Sequence, residues 1–234
     1  MITQRQAQIL AAIIKEYSQT NHPVGSEELL AKSPLTVSSA TIRNEMKALE
    51  DAGYIEQPHT SAGRVPTDLG YRYFVNKLMR HLDLAAGEQE KLRRELARFQ
   101  KDYVELGRGI CKLLSETSQG AAFALLPESV STSGFSKIVE QSQDPEEIKM
   151  IADFLDELEE RGRALTKQNF GQVQTFVDNF SLVVTRVQTP DGRSGLIGIV
   201  GPKRMKYERN VSLLEYVSKL LTSGLGFAIL FYWR

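Results

Sequence analysis

The chain has 234 residues, enough for one large or two ordinary domains, each with its own core. Its 29 Lys and Arg balance 29 Asp and Glu, so the molecule as a whole exerts no pull on nucleic acid, and any attraction must come from local placement of charge. The single cysteine, Cys111, excludes an intrachain disulfide and fits a reducing compartment, while MITQRQAQIL lacks a charged-then-apolar leader and no apolar run approaches a membrane span, so the expectation is cytoplasmic.

The first predicted helix runs from Thr3 to about Tyr17. Thr3 and Gln6 form a capping box, and Ile9, Leu10, Ile13, Ile14 and Tyr17 make its apolar stripe. Asn21-His22-Pro23-Val24-Gly25 breaks it. A second helix begins at the cap Ser26, with Glu27 and Glu28 complementing the dipole and Leu29 and Leu30 supplying the packing face. Lys32-Ser33-Pro34-Leu35 turns into a third helix, for which Ser38 and Ser39 are both candidate N-caps. Its buried stripe is Ile42, Met46 and Leu49, so Ala40, Arg43, Asn44 and Lys47 face the other way, with Ser39 and Thr41 flanking them near the start. Such a helix suits a DNA major groove: hydroxyls and amides at its start can hold phosphate, Arg43 can grip guanine and Asn44 adenine.

Gly53 is the expected residue after the helix end. Tyr54-Ile55-Glu56 and Arg64-Val65 then read as two short strands joined by the polar turn Pro58–Gly63, a wing whose tip carries His59, Thr60, Ser61 and Arg64 for backbone or minor-groove contacts. Thr67 caps a fourth helix that carries Leu69, Tyr73, Phe74 and Leu78, its aromatics packed against the first helix, with basic Arg72, Lys77 and Arg80 suited to phosphate or to solvent. On their own, one amphipathic helix and a hairpin also fit other small domains. Three helices at this spacing followed by a wing make a complete winged helix-turn-helix.

The string SSATIRNEMKALEDAGYIEQPHTSAGRVPTDLGYRYFV, near-continuous over residues 38–75, closely resembles the DNA-binding domain of the HrcA family of heat-inducible transcription repressors. The residues expected at the DNA are therefore Ser38, Ser39, Thr41, Arg43, Asn44, Lys47, His59, Thr60, Ser61 and Arg64.

LDLAAGEQE at 82–90 is a polar transition, which divides the chain into a winged helix-turn-helix at 1–82 and a remainder at 83–234. A long charged helix is expected from about Glu88 to Glu105, with Leu92, Leu96, Phe99 and Tyr103 on one stripe, resuming after Gly107-Arg108-Gly109 as Ile110–Ser115. Cys111 lies in that apolar pattern and reads as a small core residue. Beyond it the pattern is α/β. Ala121–Leu126 is an apolar strand stopped by Pro127. Pro145-Glu146 opens an acidic helix with Ile148, Ile151, Phe154, Leu155 and Leu158 inside. Phe180–Val187 and Gly195–Val200 are strands around the hairpin turn Thr189-Pro190-Asp191-Gly192. A last helix carries Val211, Leu213, Leu214, Val217, Leu220 and Leu221. Gly195, Gly198 and Gly201 stand three apart near Lys203 and Arg204, which is not the order of a phosphate loop.

The same stretch, a glycine-rich strand followed by Gly201, Pro202, Arg204, Met205 and Tyr207, is similar to the C-terminal motif of HrcA. In that family it belongs to a GAF-like domain. The resemblance thus implies an α+β chain, a winged helix-turn-helix followed by a GAF-like α/β domain. That domain is reduced here, because the family's inserted dimerisation domain is missing or shortened where Leu126-Pro127 leads almost directly to Gly134-Phe135-Ser136. The apolar run Leu225–Trp233 has no counterpart in the family pattern and reads as a packing strand, a dimer contact or a tail. The resemblance further implies a repressor that binds an inverted-repeat operator of chaperone operons as a homodimer, with the GroE chaperonin as the partner that maintains its activity.

No acid–base pair, nucleophile–base arrangement or metal spacing among His22, His59, His81 and Cys111 stands out, so neither an enzyme nor a cofactor or metal is expected. Two rival readings are a regulator whose GAF-like domain senses a small molecule and a winged helix that binds protein.

Overall fold

The structure, a computed structural model, describes residues 2–35, 37–59, 62–79, 83–97, 103–127, 129–160, 162, 174–177, 180–189 and 192–222. They fall into two compact units: Met1–Arg80 with Lys203–Met205, and His81–Pro202 with Lys206–Arg234. The tail expectation for Leu225–Trp233 lies outside the described residues, as do Arg80 and Phe99.

In the first unit, α1 (Gln4–Thr20) starts from the expected capping box: Thr3 Oγ1 accepts from Gln6 N–H and Gln6 Oε1 accepts from Thr3 N–H. It runs a turn further than expected, ending at Asn21, whose φ of 56° is left-handed. α2 (Ser26–Lys32) is capped by Gly25 rather than Ser26, and the Ser26 hydroxyl lies 3.2 Å from that of Ser39 instead. α3 (Ser39–Asp51) takes Ser38 as its cap. It ends in a Schellman arrangement, with Gly53 N–H on Glu50 C=O, Tyr54 N–H on Leu49 C=O, and Gly53 at φ 77°. β1 (Ile55–Glu56) and β2 (Val65–Pro66) pair antiparallel as Ile55↔Pro66 and Glu56↔Val65. Arg64 is not part of that pair; it bridges to Val24, adding an unexpected third strand position at the wing's base.

α4 (Asp68–Tyr73), capped by Thr67, continues as a π turn through Phe74–Leu78. Tyr71 and Phe74 are its buried aromatics, whereas Leu69 is 48% exposed. The core is made by Ile9, Leu10, Ile13 and Ile14 of α1 against Leu29, Ile42, Met46, Leu49 and Ile55. Each such side chain contributes about 1.5–3 kcal/mol by leaving water.

The second unit is built on a five-stranded sheet in the order β4-β3-β7-β6-β5. Its strands are β3 (Ala121–Leu126), β4 (Ser129–Ser133), β5 (Gln174–Val177), β6 (Ser181–Gln188) and β7 (Ser194–Gly201). Every pairing among the described residues is antiparallel, so this part is α+β in its connections rather than α/β. β4 and β5 were not expected. Helices lie on both faces: α6 (Tyr103–Ser118) and the last helix, α9 (Tyr207–Thr222), against one, and α7 (Phe135–Gln141) with α8 (Pro145–Asp156) against the other. The second face gathers Phe123, Leu182, Val184, Leu196 and Val200 under Ile138, Ile151, Phe154 and Leu158.

One expectation is corrected by packing. The charged stretch is described as α5 (Ala86–Ala97) and α6, with residues 98–102 outside the described residues, and α6 passes straight through Gly107 and Gly109, both buried. A Cβ on Gly107 would stand 2.8 Å from Ser131 Oγ, so Gly107 lets the helix lie close on β4 rather than breaking it. Gly198 likewise pairs with Phe123, and a Cβ there would overlap the phenyl ring. The glycine-rich strand makes room for an aromatic. Cys111 is fully buried, its thiol 3.1 Å from Ser131 C=O, and burial pushes its pKa up to about 12.

Candidate nucleic-acid interface

A winged helix offers two surfaces to a duplex, the outer face of its third helix and the hairpin. In α3 the 3.6-residue repeat turns Ile42, Met46 and Leu49 into the core and leaves Ala40, Arg43, Asn44 and Lys47 exposed on the far side. The side chains of Arg43 and Asn44 have no ion pair or hydrogen bond among the described residues. Guanidinium and carboxamide groups are the side chains suited to bidentate contacts with guanine and adenine.

The hydroxyls at the start of α3 are engaged with one another. Ser38 Oγ accepts from Thr41 N–H at 3.2 Å and lies 2.9 Å from Thr41 Oγ1, and Ser39 Oγ sits against Ser26 Oγ. Ser38 is exposed and Ser39 and Thr41 partly so. The remaining amides of this first turn carry the positive end of the helix dipole. Lys47 is 63% exposed but paired, 2.8 Å from Asp51 and 3.6 Å from Glu50. The hydrogen bond to Asp51 raises its pKa, so it stays charged through any neutral-pH encounter.

In the wing, His59 is exposed, and Thr60 and Ser61 lie outside the described residues. The turn closes through Ala62 N–H on His59 C=O, and Gln57 Nε2 donates to Ala62 C=O at 2.9 Å, holding the two sides of the hairpin together. Arg64 sits apart from the tip. It stands at the wing's base with its guanidinium on Glu50, Nη2 to Oε2 3.1 Å. Of the expected site residues, Arg43, Asn44 and Lys47 share the outer face of α3, Ser38, Ser39 and Thr41 stand about its start, His59 is at the hairpin end, and Arg64 is turned toward Glu50 at the wing's base.

An open cleft of about 550 Å³ separates the hairpin from α3, with Arg43 and Met46 on one wall and Gln57, Gly63 and Arg64 on the other. Sequence reasoning missed Glu50 and Val24, which fasten the wing. Glu50 was visible as a neighbour of Lys47 three residues back, but its pairing with a residue fourteen positions on exists only once the hairpin has folded over.

Comparison with known proteins bears on the same regions. The family model "Winged helix-turn-helix transcription repressor, HrcA DNA-binding" matches residues 1–79, and "HrcA protein C terminal domain" matches residues 70–211. The heat-inducible transcription repressor HrcA of Pelotomaculum thermopropionicum is 42% identical over 147 residues, which is 63% of this chain and 42% of that protein. Its counterpart in Symbiobacterium thermophilum is 47% identical over 128 residues, 55% of this chain and 38% of that one. The matched stretch spans about two fifths of the length of these curated relatives. A solved crystal structure of a hypothetical protein shares the fold, with a TM-score of 0.72 at 19% identity, covering 95% of this chain and 98% of that one.

Proposed function

The chain belongs to the HrcA family, and on that footing we propose that it is a heat-inducible transcription repressor that binds double-stranded DNA and performs no catalysis. The observation that carries this reading is the exposed Arg43–Asn44–Lys47 stripe of α3, set beside the capped start of the helix within the segment matched by the DNA-binding family model.

In this proposal residues 1–82 act on DNA and residues 83–234 form the regulatory part. Arg43 and Asn44 read base edges in a major groove. Ser38, Ser39, Thr41 and Lys47 meet the flanking phosphates, and His59, Thr60 and Ser61 of the wing reach the neighbouring backbone or minor groove. Arg64 belongs with them only through its place in the wing. The chain is neutral and α3 itself carries Glu45, Glu50 and Asp51 beside Arg43 and Lys47, so DNA affinity here rests on the outward placement of Arg43 and Lys47 rather than on net charge.

The family likeness supports three finer statements. The target is an inverted repeat in chaperone operons. Two chains bind it as a homodimer, since a palindrome calls for two-fold symmetry that places recognition helices one helical turn apart. The GroE chaperonin, a cytoplasmic partner, maintains the repressing form, and heat shock relieves repression by drawing the chaperonin away.

Fluorescence anisotropy on a chaperone-operon inverted repeat and on a scrambled duplex tests this, across a salt series and with and without chaperonin. The expected result is a preference of roughly 10³-fold or more for the repeat with two chains bound. Equal, steeply salt-dependent binding to both duplexes would reduce the reading to a nonspecific DNA binder.

A further inference from the structure

The wing is too slight to hold its own angle. Its ladder is two residues long on each side, Ile55↔Pro66 and Glu56↔Val65, and a two-stranded hairpin of that length is not stable by itself. Two further attachments fasten its return strand. Arg64 N–H and C=O exchange hydrogen bonds with Val24 C=O and N–H, both 2.9 Å, and Gly63 lies so close to Val24 that any Cβ there would overlap its backbone. The Arg64 side chain then reaches Glu50 in the last turn of α3, with the two side chains 19% and 21% exposed.

Resting on the DNA-binding reading above, we propose that Glu50 and Arg64 are a positioning pair: their ion pair sets the wing against the recognition helix, and Arg64 serves the DNA through that geometry rather than by holding phosphate. Exposed ion pairs do little for stability, but this one is largely withdrawn from water and joins two elements that must meet one duplex together. Swinging Arg64 out to a phosphate would strip Glu50 of its nearest counter-charge, leaving Lys47 at 3.6 Å as the other cation beside it.

The two possible roles of Arg64 predict opposite signs for one substitution. If Glu50 merely restrains a phosphate-binding arginine, Glu50→Gln releases it. DNA affinity then rises, and the slope of log K against log salt steepens by about 0.9. If the pair positions the wing, Glu50→Gln weakens binding to operator and random duplex alike, by roughly tenfold, or 1.4 kcal/mol. Arg64→Gln and the double variant then lose no more than either single change, because the same Arg64–Glu50 pair has been removed in each case.

The experiment is this cycle in the full chain, measured by anisotropy, with hydrogen exchange of the Val24 and Arg64 amides as a readout that needs no DNA. Weaker binding by Glu50→Gln together with faster exchange at those two amides, and unchanged protection in α3, is the expected result. Tighter binding by Glu50→Gln, or exchange at the wing's base equal to that of the parent protein, would overturn the proposal. A parent protein that binds neither duplex would instead remove the DNA-binding reading, while the exchange arm still decides whether the pair fixes the wing.

Discussion

In the winged-helix unit the outward face of α3 leaves Arg43 and Asn44 exposed with their donors free, and places Lys47 in water with only a surface partner. In the sheet unit the buried polar groups are turned on one another. Ser142 Oγ donates to Glu147 at 2.6 Å, Ser181 Oγ lies 2.5 Å from Tyr207 Oη, and the Cys111 thiol reaches Ser131 C=O. Both units bury apolar stripes by the same rules. They differ in where hydrogen-bonding capacity is left over, and unspent capacity at an exposed face is what another molecule can use.

The largest expected effect lies in the second unit. Phe123 is fully buried, stands opposite Gly198 and packs edge-on against Phe154 with ring centroids 6.0 Å apart. Phe123→Ala should cost about 3–5 kcal/mol, read by denaturant unfolding and by lost amide protection in β3 and β7. Because Gly198 offers no side chain to fill the gap, the cavity has little means of collapse. A cost below about 1 kcal/mol would mean that this sheet does not rest on its central aromatic.

The first unit should respond in binding rather than in stability. Arg43→Ala removes an exposed side chain and leaves the α3 core stripe intact, so thermal unfolding should barely move. Specific DNA binding should weaken by about 1–3 kcal/mol if Arg43 reads a base. An equal loss on operator and random duplex would reassign Arg43 to phosphate.

A pH series separates the units again. In the fold, burial holds the Cys111 thiol at about 12, against 9.0 when unfolded. Below pH 9 both states keep the proton and stability does not respond. Between pH 9 and about 12 the unfolded state loses it first, so stability should fall with rising pH by up to about 1.4 kcal/mol per unit. Cys111→Ala should lack this increment of alkaline loss, and identical pH curves for the two proteins would show the thiol is reachable by water.

What was legible in the sequence was mostly local. The Thr3–Gln6 box, the Ser38 and Thr67 caps and the Gly53 stop depend on residues three or four apart, and the apolar runs of β3, β6 and β7 announce themselves. β4, SVSTS, was missed because its pattern is inverted: Ser131 is buried beneath α6, while Val130 is 47% exposed. The Gly107–Gly109 stretch resembled a break because its purpose, close approach to β4, appears only in the tertiary fold. The same holds for the candidate site. The α3 face followed from a single period, but the inward turn of Arg64 did not, because Glu50 and Val24 approach it only after the hairpin closes.

The smallest expected effect concerns how unspent the cations of α3 are. Lys47 and Asp51 are both 63% exposed and sit 2.8 Å apart one helical turn from each other, so the pair is solvated and adds little to folding. On the proposed reading the arrangement matters more at a duplex, where Asp51 would place a negative charge beside the phosphates and compete with them for the same ammonium. Asp51→Asn should therefore tighten binding a few-fold at low salt, equally on operator and random DNA, and the gain should fade as the Debye length shrinks toward ~3 Å in molar salt. Equality across sequences is the informative part. Phosphates are the same everywhere along the duplex, so a released Lys47 that only neutralises backbone cannot change the ratio. A shift in that ratio would place the Lys47 ammonium at a base edge and extend the reading surface of α3 one turn beyond Arg43 and Asn44.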